Sequence, residues 1–213
     1  NLLGPTGRVV LSVLFGLGML GAGLKLLAGR WRLLGQGFTG GGLATLYFSM
    51  YALGPVYRLV DAPLVVFALM ALITVSAGVL ALHTNSMLVA IFGIIGGFLT
   101  PLLLHSDPPN LPLLYAYLIL LNLGVLGLGH LRQWRLLNYL SFSFTWLLYA
   151  VSREAYTRAD FCVTLVFLGL FFAIQSTLVF LYNLRRRIPS TVLELVHLAL
   201  NAGLFSLTAY ALI

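Results

Sequence analysis

Long apolar runs recur along the whole chain and are separated by short polar connections. Each run is close to the roughly 20 residues that an α-helix needs to cross a hydrocarbon core of ~30 Å. The pattern predicts eight spans, at residues 9–28, 34–53, 63–82, 87–105, 113–131, 136–152, 161–184 and 190–212. Turn-forming residues such as Gly54-Pro55 occupy the connections, and none of the connections is long enough to hold a soluble domain.

The composition identifies the class of protein. Of the 213 residues, 61% are hydrophobic and only 8% are charged, and the mean hydropathy is +1.03. Soluble domains carry about 25% charged residues, so a chain of this composition could not keep its surface in water. We therefore expect an all-α, polytopic transmembrane helical bundle. The one cysteine, Cys162, lies in an apolar run, so no intrachain disulfide can form.

The distribution of Lys and Arg predicts the orientation of the spans. Connections after the odd-numbered spans carry cations without acids, whereas acids balance the cations on the other side. The cation-rich side should be cytoplasmic, so both ends of this sequence are expected on the outer side. This topology explains the net charge of +7 without nucleic acid as a partner, and it makes lipid head groups the expected partners of residues 185–187. The cations are Lys25, Arg30, Arg32, Arg132, Arg135, Arg185, Arg186 and Arg187.

Three glycines and a proline lie close together in the fourth predicted span. Gly93 and Gly97 are four residues apart, which flattens one helix face and lets another backbone approach. Gly96 adds a further small residue, and Pro101 lacks the N–H that continues a helix. Thr100 could bond back to a carbonyl of the same helix. The pattern predicts a tightly packed helix that bends or ends near Pro101, with the other spans arranged around it.

Two groups of residues recur about 100 positions apart. This recurrence predicts two parallel units of four spans each, residues 1–110 and 111–213, because an even number of spans returns the chain to the same side. The alternative is chance, since these residue types are common at membrane boundaries. Gly21-Ala22-Gly23 before Trp31-Arg32 recurs as Gly127-Leu128-Gly129 before Trp134-Arg135, and Tyr51, Tyr57 and Asp61 recur as Tyr149, Tyr156 and Asp160.

Three segments resemble a family of bacterial multi-pass membrane proteins known as domain of unknown function 2339. They are Gly4-Pro5 leading through Arg8 into the first span, Gly40-Gly41-Gly42 with the residues to Tyr47, and residues 96–103. The likeness covers about the first half of the chain and fades over the last three spans. It implies the bacterial inner (cytoplasmic) membrane and a longer chain of which this sequence is a piece. It implies no catalytic motif.

Close helix packing explains Gly40, Gly41 and Gly42 better than a phosphate-binding loop does. A P-loop requires a preceding strand and a Gly-Lys-Ser/Thr ending, and residues 35–42 have neither. Small residues are common where membrane helices meet. We therefore expect these glycines to lie against a neighbouring helix.

Polar residues at membrane depth are the main candidates for function, because a charge at that depth is unfavourable. Glu194, His197 and Asn201 follow at spacings of three and four residues, which places them on one face of the last span. They could respond to protons or a ligand, with His197 titrating near neutral pH. The alternative is a Glu near the inner surface that bonds a neighbouring helix. A di-metal site needs further carboxylates at membrane depth, so we expect no metal and no cofactor.

Other polar residues at membrane depth fit interhelical bonding. Gln36 and Thr39 in the second span, Asn122 in the fifth and Gln175 in the seventh are expected to face inward. A stripe along the sixth span is typical of bonds between helices, although it could instead line a hydrated cavity. The stripe comprises Asn138, Ser141, Thr145, Tyr149 and Ser152.

Three function classes remain open at this stage. The first is a non-enzymatic scaffold or accessory subunit that packs with other membrane proteins and lipids. The second is a transporter or lipid-handling protein, which should have a water-accessible cavity touching Thr100, Asn122 or Asn201. The third is an envelope enzyme acting on lipid-linked substrates, which needs acid and base groups on the outer side. Its candidates would be Asp61, Asp107, Glu154 and Asp160.

Overall fold

The protein is all-α, as the apolar runs predict. The computed structural model describes residues 4–104, 110–132, 134–186 and 191–212, and these contain eight α-helices and no strand. A short π-helix, Ala52–Val56, follows α2, and two 3₁₀ turns, Arg153–Ala155 and Arg158–Asp160, join α6 to α7. The α-helices are α1 Pro5–Leu27, α2 Arg32–Tyr51, α3 Pro63–Thr84, α4 Met87–Leu103, α5 Leu111–Leu131, α6 Arg135–Ser152, α7 Phe161–Arg186 and α8 Val192–Tyr210.

Five of the described helices are long and apolar enough to cross a membrane on those two criteria alone, namely α1, α3, α5, α7 and α8. The sequence prediction of about eight spans is higher than this number but compatible with it. Helix α4 is apolar but only 17 residues long. Helices α2 and α6 have 20 and 18 residues, and their Gly, Gln, Asn, Ser and Thr residues lower their hydropathy.

The helices group into two compact units. Unit 1 covers Asn1–Asp107 and contains α1 to α4, and unit 2 covers Pro108–Ile213 and contains α5 to α8. The division into two units does not show that the units resemble each other, so the duplication stays a prediction.

Helices α1 and α2 of unit 1 pack backbone against backbone. A Cβ atom added to Gly23 would lie 2.6 Å from the backbone nitrogen of Thr39, and one added to Gly42 would lie 2.8 Å from the carbonyl oxygen of Gly16. Real Cβ atoms almost never come within 3.0 Å of another heavy atom, so a side chain at either glycine would push the helices apart. Gly41 instead faces the flexible end of Met19, with 2.8 Å between an added Cβ and the Met19 methyl group.

Helices α2 and α4 each carry a glycine that receives an aromatic ring from the other helix. A Cβ atom on Gly40 of α2 would overlap the ring of Phe92 in α4, and one on Gly96 of α4 would overlap the ring of Tyr47 in α2. At Gly93 the nearest neighbour is the methyl group of Ala77 in α3, 2.7 Å from an added Cβ. The nearest neighbours of Gly93 and Gly96 are therefore side chains.

The hydroxyl of Tyr47 joins three helices of unit 1. It lies 2.8 Å from the hydroxyl oxygen of Thr74 in α3 and donates to the carbonyl oxygen of Gly93 in α4 at 3.2 Å. Its ring packs in a buried cluster with Val66 and Met70 of α3. Because Gly96 leaves room for the ring, the hydroxyl can reach these partners.

Helix α4 continues through Pro101 for two more residues and ends at Leu103. Thr100 donates to the carbonyl oxygen of Gly96 at 2.9 Å, and the N–H of Leu104 donates to the carbonyl oxygen of Thr100 at 3.0 Å. The ring of Pro101 excludes the N–H bond that would extend the preceding turn. The last residue of the predicted span, His105, lies outside the described residues.

Gly96→Ala is expected to lower the free energy of unfolding by about 1–3 kcal/mol, the range for an overpacked core. The added methyl group would overlap the Tyr47 ring and displace its hydroxyl from Thr74. Gly78→Ala in α3 is the matched control, because its added atom would have nothing within 4 Å. Unfolding by SDS in mixed micelles, followed by circular dichroism, compares the two variants. Equal stabilities would contradict this packing.

Candidate functional site

One buried amide, that of Asn122, connects three helices of unit 2. Its Oδ1 atom accepts from Ser141 of α6 at 2.7 Å and from Nε2 of Gln175 in α7, also at 2.7 Å. Its Nδ2 atom donates to the Leu118 carbonyl oxygen at 2.8 Å and to Thr145 Oγ1 at 2.9 Å. Asn122 and its three side-chain partners are all at most 1% exposed. We call these four residues the amide cluster.

Helix α6 supplies the amide cluster from one face. Ser141 and Thr145 are four residues apart, so both side chains point toward α5. Farther along α6, the hydroxyl of Ser152 lies 2.9 Å from the hydroxyl of Tyr115 in α5. Ser152 also donates to the Tyr149 carbonyl oxygen of its own helix. The polar stripe predicted for this helix is therefore largely hydrogen-bonded to a neighbouring helix. The Asn138 side-chain oxygen and the Tyr149 hydroxyl are buried exceptions with no partner among the described residues.

The three candidate residues of α8 form its buried face, as their spacing predicts. Glu194, His197 and Asn201 are 7%, 3% and 0% exposed, whereas Leu193 and Leu207 are 67% and 68% exposed. The helix thus turns its polar residues inward and its apolar residues outward. This arrangement suits a helix that meets protein on one side and lipid or another apolar surface on the other.

Glu194 caps the start of its own helix. Its Oε2 atom accepts from the backbone N–H of Thr191 at 2.8 Å, and the two residues form a reciprocal capping box. Its Oε1 atom lies 3.7 Å from Nη1 of Arg135, whose side chain is 45% exposed at the start of α6. The carboxylate therefore has structural partners.

His197 lies against aromatic rings of α6. Its ring centroid is 4.3 Å from that of Phe142 and 5.8 Å from that of Tyr139. Its Nε2 atom is buried and has no hydrogen-bond partner among the described residues. Asn201 instead faces α7, where Nδ2 donates to the Phe172 carbonyl oxygen and to Ser176 Oγ, both at 3.1 Å.

The three candidate residues of α8 therefore have separate partners within unit 2. Thr100 bonds its own helix in unit 1, and Asn122 lies within the amide cluster. Within the described part of the chain, no three His, Cys, Asp or Glu residues are placed to hold a metal ion.

Of the acidic residues proposed for outer-side chemistry, Asp160 has structural partners. Asp160 accepts from the backbone N–H of Thr157 at 3.2 Å and from its hydroxyl, which caps the turn before α7. Arg153, beside Glu154, donates to the Ala211 carbonyl oxygen at the end of α8 at 2.9 Å. Asp107 lies outside the described residues.

Sequence reasoning missed two aromatic residues, Tyr47 and Trp146. A usable signal existed for the second, because Tyr139, Phe142, Trp146 and Tyr149 recur at spacings of three and four along α6, which places them on one helix face. The ring of Trp146 lies 6.3 Å from Phe142 and 6.0 Å from Tyr149. Tyr47 gave no such signal, because its role depends on space left by a glycine in another helix.

The sequence matches the family described as predicted membrane protein (DUF2339) over residues 1–213. The chain belongs to this family. Membership confirms the resemblance carried by Gly40-Gly41-Gly42 and residues 96–103, and extends it over the half of the chain where the likeness fades. No curated protein and no solved structure matches the chain. A membrane protein whose helices expose side chains such as Phe15 and Leu207 contacts membrane lipids.

Asn122→Leu is expected to lower the free energy of unfolding by about 2–3 kcal/mol, since it removes several interhelical bonds worth roughly 0.6 kcal/mol each and leaves buried donors unpaired. Gln175→Leu should have a smaller effect, because Gln175 gives one bond to Asn122 and its Oε1 atom has no partner. Ser143→Ala, on the exposed face of α6, is the control. SDS titration in mixed micelles gives the ranking, and a larger loss for Gln175→Leu would contradict the central place of Asn122.

Glu194→Gln is expected to change stability by less than about 1 kcal/mol, since an amide oxygen can still accept from Thr191 and the contact with the half-exposed Arg135 is long, at 3.7 Å. Glu194→Leu should lower it by about 1 kcal/mol through loss of the cap. Thermal unfolding of both variants in one detergent makes the comparison. Equal and large losses in both would mean that the charge matters more than the cap.

Proposed function

We propose that this protein is a non-enzymatic scaffold or accessory subunit of a larger assembly in the bacterial inner membrane. The observation that supports this proposal best is the amide cluster. Polar groups that could bind a solute in a transporter are instead hydrogen-bonded to one another between α5, α6 and α7. Their role is to hold helices together.

A transporter would need water to reach polar groups at membrane depth. The three residues expected to touch such a cavity, Thr100, Asn122 and Asn201, are 0%, 1% and 0% exposed. This burial favours the scaffold over the transporter. The caps formed by Glu194 and Asp160 give these two carboxylates structural roles, which favours the scaffold over the enzyme.

The outer faces of the helices offer places for partner subunits. In the part of the chain that the structure describes, six helices carry a glycine at which an added Cβ atom would have nothing within 4 Å. Open glycines among exposed apolar side chains let a neighbouring membrane helix approach closely. One such glycine in each helix is Gly18 in α1, Gly37 in α2, Gly78 in α3, Gly124 in α5, Gly169 in α7 and Gly203 in α8.

We place the connection between α1 and α2 on the cytoplasmic side. Lys25, Arg30 and Arg32 are all exposed there, and a concentration of cations marks the cytoplasmic side of membrane proteins. The two ends of this sequence are then on the outer side. We also propose that the two units arose by duplication, since each contains four α-helices.

Gentle purification from the source membrane should recover this protein with other membrane proteins in fixed ratio, as mass spectrometry of the bound material would measure. Replacing the six open glycines by Leu, one at a time, should then detach partners in at least one variant, because the added side chain blocks close approach. The melting temperature of each purified variant should stay unchanged.

A monodisperse protein that works alone would contradict the scaffold proposal. A lone protein that carries a bound solute would point to transport instead. Gly96→Ala serves as the control in the glycine series, since it alters an internal contact with Tyr47. It should lower stability, whereas an outer-face variant should change partner binding alone.

A further inference from the structure

Two buried nitrogen atoms lie near the same aromatic ring of α6 and have no hydrogen-bond partner among the described residues. They are Nε2 of His197 in α8 and Nε1 of Trp146 in α6. Their two side chains are 3% and 9% exposed. A buried polar group without a partner is destabilising, and in a membrane no bulk water is at hand to compensate. Such atoms suggest a ligand that is not part of the chain.

The surroundings of these atoms favour a flat ligand. Phe142 lies close to both side chains, with its ring centroid 4.3 Å from that of His197 and 6.3 Å from that of Trp146. Tyr139 covers His197 from the preceding turn of α6, at 5.8 Å. We call these four residues the aromatic seam. Aromatic faces stack well on other planar rings.

The charges beside the seam favour a neutral ligand. Glu194 lies one turn before His197, and its carboxylate pairs with Arg135 and caps Thr191. Glu194 and Arg135 already pair with each other, so neither would balance the charge of a ligand bound to the seam. Burying a charged ligand there would be unfavourable at membrane depth.

The seam is reachable from its side. Tyr139 and Phe142 are partly exposed, whereas the two nitrogens are buried. Rotation of a partly exposed side chain is fast, so a movement of Phe142 would open the nitrogens to a molecule that arrives through the lipid. The indole N–H is a donor only, and the imidazole Nε2 donates in one of its two neutral tautomers. Two donors near one aromatic face suit a flat ring with two carbonyl oxygens.

We propose that the aromatic seam binds the head group of a lipid-soluble quinone, with Trp146 Nε1 and His197 Nε2 each donating to a carbonyl oxygen. This is a binding site, and no electron transfer is implied. It goes beyond the scaffold proposal and does not depend on it. A quinone is neutral, planar and soluble in the membrane, which are the three properties that the seam selects.

Tryptophan fluorescence tests this proposal on the full chain in lipid nanodiscs. The chain has three Trp residues, so the W31F/W134F background leaves Trp146 as the reporter. Decyl-ubiquinone is the probe, because quinones quench a nearby indole. We expect saturable quenching, with an apparent Kd at least tenfold weaker in H197F, which keeps a ring but removes both nitrogens. H83F, at an exposed histidine of α3, is the matched control and should leave the Kd unchanged.

A second measurement separates binding from folding. H197F removes an unpartnered buried nitrogen, so its melting temperature should stay equal or rise while binding weakens. If H197F does not fold, W146F takes its place, with bound quinone measured by absorbance after gel filtration, and it too should bind at least tenfold more weakly. Quenching that rises linearly without saturation would overturn the proposal. So would equal affinity in the variant used, or equal displacement by decanol, which shares only the tail.

Discussion

The hydrocarbon of a membrane offers no hydrogen-bond partners, so polar groups must find them in the protein or in a bound molecule, and unit 2 depends on this constraint. Asn122 lies in α5, and its Oδ1 atom accepts hydrogen bonds from Ser141 of α6 and Gln175 of α7. Between membrane helices the hydrophobic effect provides little attraction, so packing and hydrogen bonds must hold them together. Removing one partner leaves the others unpaired, which makes the arrangement of the three helices specific as well as stable.

Unit 1 uses shape more than hydrogen bonds. Helices α1 and α2 approach each other at Gly23 and Gly42, where any side chain would collide with backbone atoms. Between α2 and α4, the ring of Phe92 in α4 packs on Gly40 in α2, and the ring of Tyr47 in α2 packs on Gly96 in α4. Dispersion contacts of this kind are individually weak but numerous, and they require surfaces that fit closely.

The sequence predicts the number and order of the helices well, because the length of an apolar run is a direct measure of a membrane helix. The inward face of α8 also follows from the spacing of Glu194, His197 and Asn201. Contacts between helices are harder to foresee. Gln175 is 53 residues from Asn122, and no pattern in either segment indicates that the two side chains are in contact. The capping role of Glu194 can also be predicted from Thr191, since Thr-x-x-Glu is a helix-start signal. A charged residue at membrane depth indicates chemistry as well, so the residue type alone does not decide between the two roles.

The pairing of Tyr47 with Gly96 has a consequence for how this family can vary. The volume at the contact is shared between two helices, so a larger residue at position 96 requires a smaller one at position 47, and the two positions should change together among relatives. The hydroxyl limits this exchange, because its partners Thr74 and the Gly93 carbonyl lie on α3 and α4. A ring moved to α4 could fill the space but would leave Thr74 without its partner from α2. Coupled change at 47 and 96 should therefore extend to position 74.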